Sequence, residues 1–486
     1  MNIKDLKPTL IWSIFDQITK VPRPSKKEGK IHDFLVNFAK EHGLAYKTDA
    51  IGNVAMFKPA TPGYENAKRV VLQGHMDMVC EKNNDVKHDF ENDPIETYVD
   101  GEWVRANGTT LGADNGIGMA ASLAVLVSDD LVHGPIEALF TVDEETGLTG
   151  ANNLGEGMIE GDILLNLDSE EDGEICIGCA GGIDTTVTFN YKPSLAPEHF
   201  MYFKINISGL QGGHSGTDIN TGRACANKLL ARFLWELSQD YEISLSSIDG
   251  GNLRNAIARE AHAVVGIHCD HKEQLSVRLN RYIAEVENEY KHIEKDMLIT
   301  IESTDEPKQC IDSDTATALI RALYCAPHGV VSMSHDIPGL VETSTNLASV
   351  KMLPDNEILV TTSQRSSVES RKYDIARQVE AVFQLAGATV SHGDGYPGWA
   401  PNMDSRILQI ATSAYETLFN ATPKATAIHA GLECGLFLTN YPGLDMISFG
   451  PTLRDVHSPK ESMHIPAVEK FWIFLTKILE MVAKDK

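Results

Sequence analysis

Residues 70–79 read VVLQGHMDMV: an apolar run, then a glycine, a histidine and, two places on, an aspartate. A short apolar run of this kind suits a strand buried on both faces. Side chains two apart in extended backbone point the same way, so His75 and Asp77 share one side of the strand end. A metal-bound histidine usually donates its other ring N–H to a carboxylate, and Asp77 is placed for that task. On its own an H-x-D is a weak signal, and a loop histidine next to a surface aspartate explains it better.

Outward from this run, the construction repeats. Residues 139–151, LFTVDEETGLTGA, put three adjacent acids after an apolar strand, and residues 163–175, ILLNLDSEEDGEI, put Asp168 after another. Asp143, Glu144 and Glu145 repel one another, which raises their pKa values and destabilises a fold unless a cation compensates. A solvated loop would tolerate them; their place beside two other acid-bearing strand ends favours a metal. Adjacent carboxylates can then divide the work, with Glu145 as ligand and Glu144 left free to face a metal-bound water. Asp168 is the candidate ligand of the third run, whereas Glu170, Glu171 and Asp172 read as a hydrated loop.

Residues 108–126, GTTLGADNGIGMAASLAVL, present Asp114 and Asn115 among glycines ahead of a helical pattern. A helix cap is the plain reading of Asp114, and a carboxylate offered to a metal pair is the functional one. Near the end of the chain His457 lies in the loop PTLRDVHSPKE (451–461), with His464 close by as a second candidate. Two histidines and three carboxylates form a nitrogen and oxygen donor set that suits zinc, with Mn2+ or Co2+ as substitutes. If one carboxylate bridges, five ligands serve two ions.

Strand patterns at 69–79, 136–142 and 163–168 alternate with helical patterns at 27–42 and 115–128. Such alternation predicts an α/β layer whose sites lie outside the C-terminal strand ends, where these polar residues fall. Leu10, Ile11, Ile14, Phe15 and Ile18 recur at helical spacing and predict an amphipathic helix near the N-terminus. After GCAGGID (178–184), β patterns at 203–207, 263–267, 297–301 and 358–362 alternate with helical ones at 222–238, 272–290, 314–325 and 370–386. The turn-rich SHGDGYPGW (391–399) marks a return. The expected fold class is α/β: a catalytic domain with a mixed sheet between helices, formed by 1–184 and 396–486. An α+β domain, 185–395, is inserted into it.

The chain has 486 residues and a net charge of -26, which repels duplex DNA and anionic membranes and argues against nucleic acid as a partner. It contains no run of about twenty apolar residues, so no membrane span is expected. Eight scattered cysteines suit thiols in a reducing compartment, and the N-terminus lacks the apolar stretch of a secretory signal; a cytoplasmic protein is expected. Cys176 and Cys179 form a C-x-x-C with no further ligands at zinc spacing and read as packing residues.

The order H-x-D (75–77), G-A-D-N-G (112–116), D-E-E-x-G (143–147), L-D-S-E (167–170) and a C-terminal histidine resembles the co-catalytic di-zinc metallopeptidase family. That family includes glutamate carboxypeptidases, acetylornithine and succinyl-diaminopimelate deacylases, tripeptidases and carnosinases. Longer motifs narrow the resemblance. QGHMDMVCEKNNDVKHDF (73–90), GLQGGHSG (209–216), RNAIAREA (254–261), GLVETSTNLA (339–348), GDGYPGW (393–399) and HAGLECGLF (429–437) are similar to those of the bacterial aminoacyl-histidine (Xaa-His, β-alanyl-histidine) dipeptidases.

The resemblance implies roles. Asp114 bridges two zinc ions, His75 and Asp168 complete one site, and Glu145 and His457 complete the other. Glu144 is the general base, Asp77 orients His75, and His214 helps to stabilise the oxyanion, from the same chain or from a partner subunit. Asn255 and Arg365 are candidates for binding the substrate backbone or carboxylate. The inserted domain acts as lid and dimerisation surface of a homodimer. The implied activity is hydrolysis of dipeptides, with Xaa-His peptides such as carnosine foremost. An N-acyl amino acid deacylase with the same metals is the alternative, because the metal core does not separate amide substrates.

Overall fold

The Val70–His75 run is a strand buried at every position, and so are Ile136–Thr141 and Ile163–Asn166. In the computed structural model, which describes residues 2–485, these three lie side by side and parallel, joined by Asp445–Ser448. Burial on both faces explains why their sequences are continuous apolar runs rather than alternating ones. Antiparallel strands Val54–Lys58 and Ala45–Thr48 extend one edge. Glu174–Cys179, antiparallel, and Lys424–Ile428 extend the other to eight strands. The sheet is therefore mixed, and its parallel centre brings the chain ends after His75, Thr141 and Asn166 to one side.

Helix Ala113–Val127 packs on the Val70–His75 strand and on helix Thr9–Ile18. Its AASLAVL stretch is buried throughout, which fits a helix covered on all sides. In Thr9–Ile18 the buried stripe is Ile11, Trp12, Ile14, Phe15 and Ile18. Leu10 is a correction to the expected stripe: it is 39% exposed, and Trp12 takes the inward position. A separate four-stranded sheet pairs Ser462–His464 with Leu453–Arg454 and with Trp103–Ala106. Its 455–461 hairpin loop carries His457.

The described residues divide into two compact units, one of 2–178, 401–427 and 432–485, the other of 179–400 and 428–431. The second unit has its own core and a nine-stranded sheet in which every registered pair is antiparallel. The expected β patterns overlap Phe200–Ser208, Ala261–His268, Leu298–Thr304 and Glu357–Ser366, and the helices are Ala226–Asp240, Lys272–Tyr290, Ser313–Cys325 and Glu369–Leu385. One long strand, Val341–Leu353, was not expected from the pattern. Among the described residues no helix is long and apolar enough to cross a membrane.

Candidate active site

The parallel strands deliver their polar residues to one cluster. His75, the last residue of its strand, is fully buried, with Nε2 3.0 Å from Asp114 Oδ1 and 3.4 Å from Asp168 Oδ1. Its other nitrogen, Nδ1, lies 3.2 Å from Asp77 Oδ1, close but outside hydrogen-bond alignment. Asp77 is itself fixed: its oxygens accept from Ser25 Oγ (2.8 Å), Glu144 N (3.1 Å) and Glu145 N (3.3 Å). The H-x-D pair thus also anchors the DEE turn. Asp143 shapes that turn in a left-handed conformation (φ 50°), with its carboxylate accepting from Thr146 and Thr149.

Asp114 sits at the start of helix Ala113–Val127 and divides its carboxylate. Oδ1 faces His75, and Oδ2 lies 3.2 Å from His457 Nε2. His457 also lies 3.0 Å from Glu145 Oε2. Five side chains from five separate stretches therefore meet, with Asp114 between the two histidines. His464 is not among them: it packs on the Trp103 ring at 4.8 Å and lies 3.9 Å from Glu102.

The electrostatics are those of a crowded site. Burial alone would raise the Asp77 carboxyl, but His75, Ser25 and the Glu144 N–H outweigh it and hold it at about 2. Burial is likewise outweighed at Asp114, held low by His457 and His75. Asp168 and Glu144 go the other way, pushed well up by burial with only partial relief from His75. His457 rises to about 11 through its bonds to Asp114 and Glu145. Glu170 departs from the hydrated-loop expectation, since burial and nearby Asp114 push it up to about 7. Asp172 is tied to Lys470 and Tyr415, and exposed Glu171 to Arg454.

Two buried oxygens in this cluster, Glu145 Oε1 and Asp168 Oδ1, have no hydrogen-bond partner. Unpaired buried carboxylate oxygens are costly unless something meets them. Divalent cations would satisfy both, and imidazole plus carboxylate is the donor chemistry zinc accepts. The residues fit a metal pair.

The remaining predicted residues lie in the second unit. The His214 ring accepts backbone N–H groups of Gly216 and Thr217 at Nδ1, both at 3.2 Å, which puts the ring proton on Nε2 as an available donor. Burial and Arg365 lower its pKa, so the neutral form is favoured. Arg365 is buried, donates to Tyr396 Oη at 2.8 Å and keeps Nε without a partner. His429, which the motif reading did not single out, is held at about 3 by burial and by Arg365, and meets Ser344 Oγ at 2.7 Å. Asn255 has an exposed side chain, and its carbonyl accepts from Ser215 N at 2.8 Å.

The family model described as peptidase family M20/M25/M40 matches residues 71–481. The chain belongs to that family. It is 44% identical over 481 residues to the cytosol non-specific dipeptidase of Escherichia coli (strain K12), covering 99% of each. The crystal structure of aminoacylhistidine dipeptidase from Vibrio alginolyticus is 45% identical, with a TM-score of 0.93 over 99% of this chain and 98% of that one. A Staphylococcus aureus tripeptidase shares the fold at 16% identity, with a TM-score of 0.58 over 99% of this chain and 100% of that one.

Two parts of this M20 peptidase's site escaped the sequence reading. Arg23 and Glu461 are buried charges on either side of the Asp114 turn. Glu433 is buried beneath the strand ends, its Oε2 accepting from Gln73 (2.6 Å) and Thr141 (2.9 Å), and burial raises it to about 7. From Gln73 a polar row continues across the sheet through Asn166 (2.6 Å) and Ser448 to Ser169. Gln73, Asn166 and Ser448 are register partners on adjacent strands. The available signals were an arginine and a glutamate without partners in sequence and polar residues inside apolar runs.

Proposed function

We propose that the chain is a dipeptidase whose two divalent cations, zinc foremost, are held by His75, Asp114, Glu145, Asp168 and His457. The observation that carries this is Asp114, with each oxygen facing a different histidine beside buried Glu145 and Asp168 oxygens that accept no hydrogen bond. Metal ions bound there supply an acidified water and polarise the scissile carbonyl. Glu144, with its raised pKa, receives the proton from water and returns it to the leaving amine. Asp77, with Oδ1 3.2 Å from His75 Nδ1, orients His75. His214 offers its Nε2–H to the developing oxyanion, and Arg365, with Asn255, receives the substrate's backbone and carboxylate.

The substrate class draws support from the names of the Escherichia coli and Vibrio alginolyticus relatives, a non-specific dipeptidase and an aminoacylhistidine dipeptidase. We include Xaa-His dipeptides such as carnosine, a homodimer formed through the second unit, and a cytoplasmic location. The free thiols of Cys80, Cys225, Cys269, Cys310 and Cys325 suit that compartment. The test is a panel of Gly-His, carnosine, other dipeptides and N-acetyl amino acids, given to zinc-loaded protein with and without chelator. Dipeptide hydrolysis abolished by chelator is expected. Preference for the acetylated compounds would replace the reading with a deacylase.

A further inference from the structure

The turn that carries Asp114 is gripped from both sides by buried charges. Glu461 accepts four successive backbone N–H groups: Leu111 (2.7 Å) and Gly112 (3.0 Å) at Oε2, Ala113 (2.8 Å) and Asp114 (3.4 Å) at Oε1. They belong to the irregular turn that leads into the helix, where Asp114 (φ -80°, ψ 112°) is still non-helical, and buried backbone donors there need an acceptor. Gly112, the local cap position, has φ 66° and supplies no side-chain cap, so the carboxylate arrives from the far end of the chain. Glu461 is also four residues after His457 and belongs to the same loop, in which Asp455 (φ 53°) and His457 (φ 60°) are left-handed. One side chain therefore ties the two stretches that hold Asp114 and His457.

Arg23 grips the other side. Its guanidinium donates to the carbonyls of Gly112, Met76 (3.2 Å) and Asp77 (2.5 Å), joining the Asp114 turn to the segment after His75. The glycines make room for it. A Cβ on Gly112 would lie 2.6 Å from Arg23 Nη2, and one on Gly116 2.8 Å from the same atom.

We propose that Arg23 and Glu461 are positioning residues that hold Asp114, His75 and His457 in metal-binding register before a cation arrives. Repulsion among the site's carboxylates would otherwise spread the cluster. The proposal rests on reading those side chains as metal donors. The chemistry is specific. Glutamine at 461 keeps the shape but turns an N–H2 group towards two backbone N–H donors. Lysine at 23 keeps the charge but cannot span three carbonyls.

The test titrates Zn2+ into metal-stripped wild type, Glu461→Gln, Arg23→Lys and Asp114→Ala by calorimetry, with thermal melts of each metal-free protein. Both positioning variants are expected to bind Zn2+ at least about tenfold more weakly, as loss of a ligand's supporting partner commonly does. Their metal-free melting temperatures should stay near that of wild type, and turnover should return at correspondingly higher metal. Wild-type affinity in both overturns the proposal, as does weakening that only follows loss of the metal-free fold. If Glu461→Gln does not fold, Arg23→Lys decides by the same criteria. Asp114→Ala separates the two layers: normal Zn2+ binding there removes the metal reading itself. Loss there with wild-type affinity in the positioning variants removes only the clamp.

Discussion

Glu144 and Glu145 are neighbours in sequence and opposite in surroundings. Glu145 reaches His457 and keeps one oxygen unpaired, whereas Glu144 is pushed well above the usual carboxylate range by burial. A ligand and a base need those two different environments. Glu144→Gln should therefore leave metal content at the wild-type value and lower turnover by a factor of about 10² or more, the usual worth of a positioned base. Metal analysis and steady-state rates on the same sample check it, and near-normal turnover would show that Glu144 is not the base. For His214, the accepting Nδ1 leaves Nε2–H as donor. His214→Ala should cost roughly 10²–10³ in kcat with little change in metal content. A variant that keeps full kcat has lost no oxyanion donor.

At the scale of elements, the central strands were legible because burial on both faces writes itself as a continuous apolar run, as in VVLQGH, IEALFT and ILLN. Strand Val341–Leu353 was not legible, because its buried run Glu342–Asn346 is polar, and Thr343, Ser344, Thr345 and Asn346 find their hydrogen-bond partners on other segments: Ser366, His429, Gln364 and the Ala256 carbonyl. Arg23 and Glu461 were hidden for a related reason. Their partners are backbone groups, whose presence at that place is set only once distant stretches have folded together. Strand Val341–Leu353 also supplies a pH prediction. Leu347 N donates to His328 Nδ1 at 3.1 Å, and burial, then nearby Lys228, hold His328 at about 4 against the ordinary 6.5. The unfolded chain therefore takes the proton first as pH falls, so stability drops from pH 6.5 down to about 4. His328→Gln keeps an acceptor without the titration and should show a flatter urea midpoint over that window; parallel curves for the two proteins would contradict this.

At the scale of the molecule, the proposed metal donors and Glu144 belong to one compact unit, and His214, Arg365 and His429 belong to the other. Under the homodimer reading with His214 acting across subunits, mixing inactive Glu144→Gln with inactive His214→Ala should restore part of the wild-type rate. Wild-type dimers on sedimentation with no restored activity would place His214 in the same chain as its metals, and a fully active monomer would remove the dimer from the account. The proposed metal pair, held by five side chains, has a more direct test. The decisive measurement is zinc stoichiometry by mass spectrometry of stripped and reconstituted protein, paired with Gly-His hydrolysis on the same preparations. Two zinc ions per chain, with activity lost on stripping and regained as the second site fills, is the predicted result. Full hydrolysis by protein verified to be free of metal would contradict it.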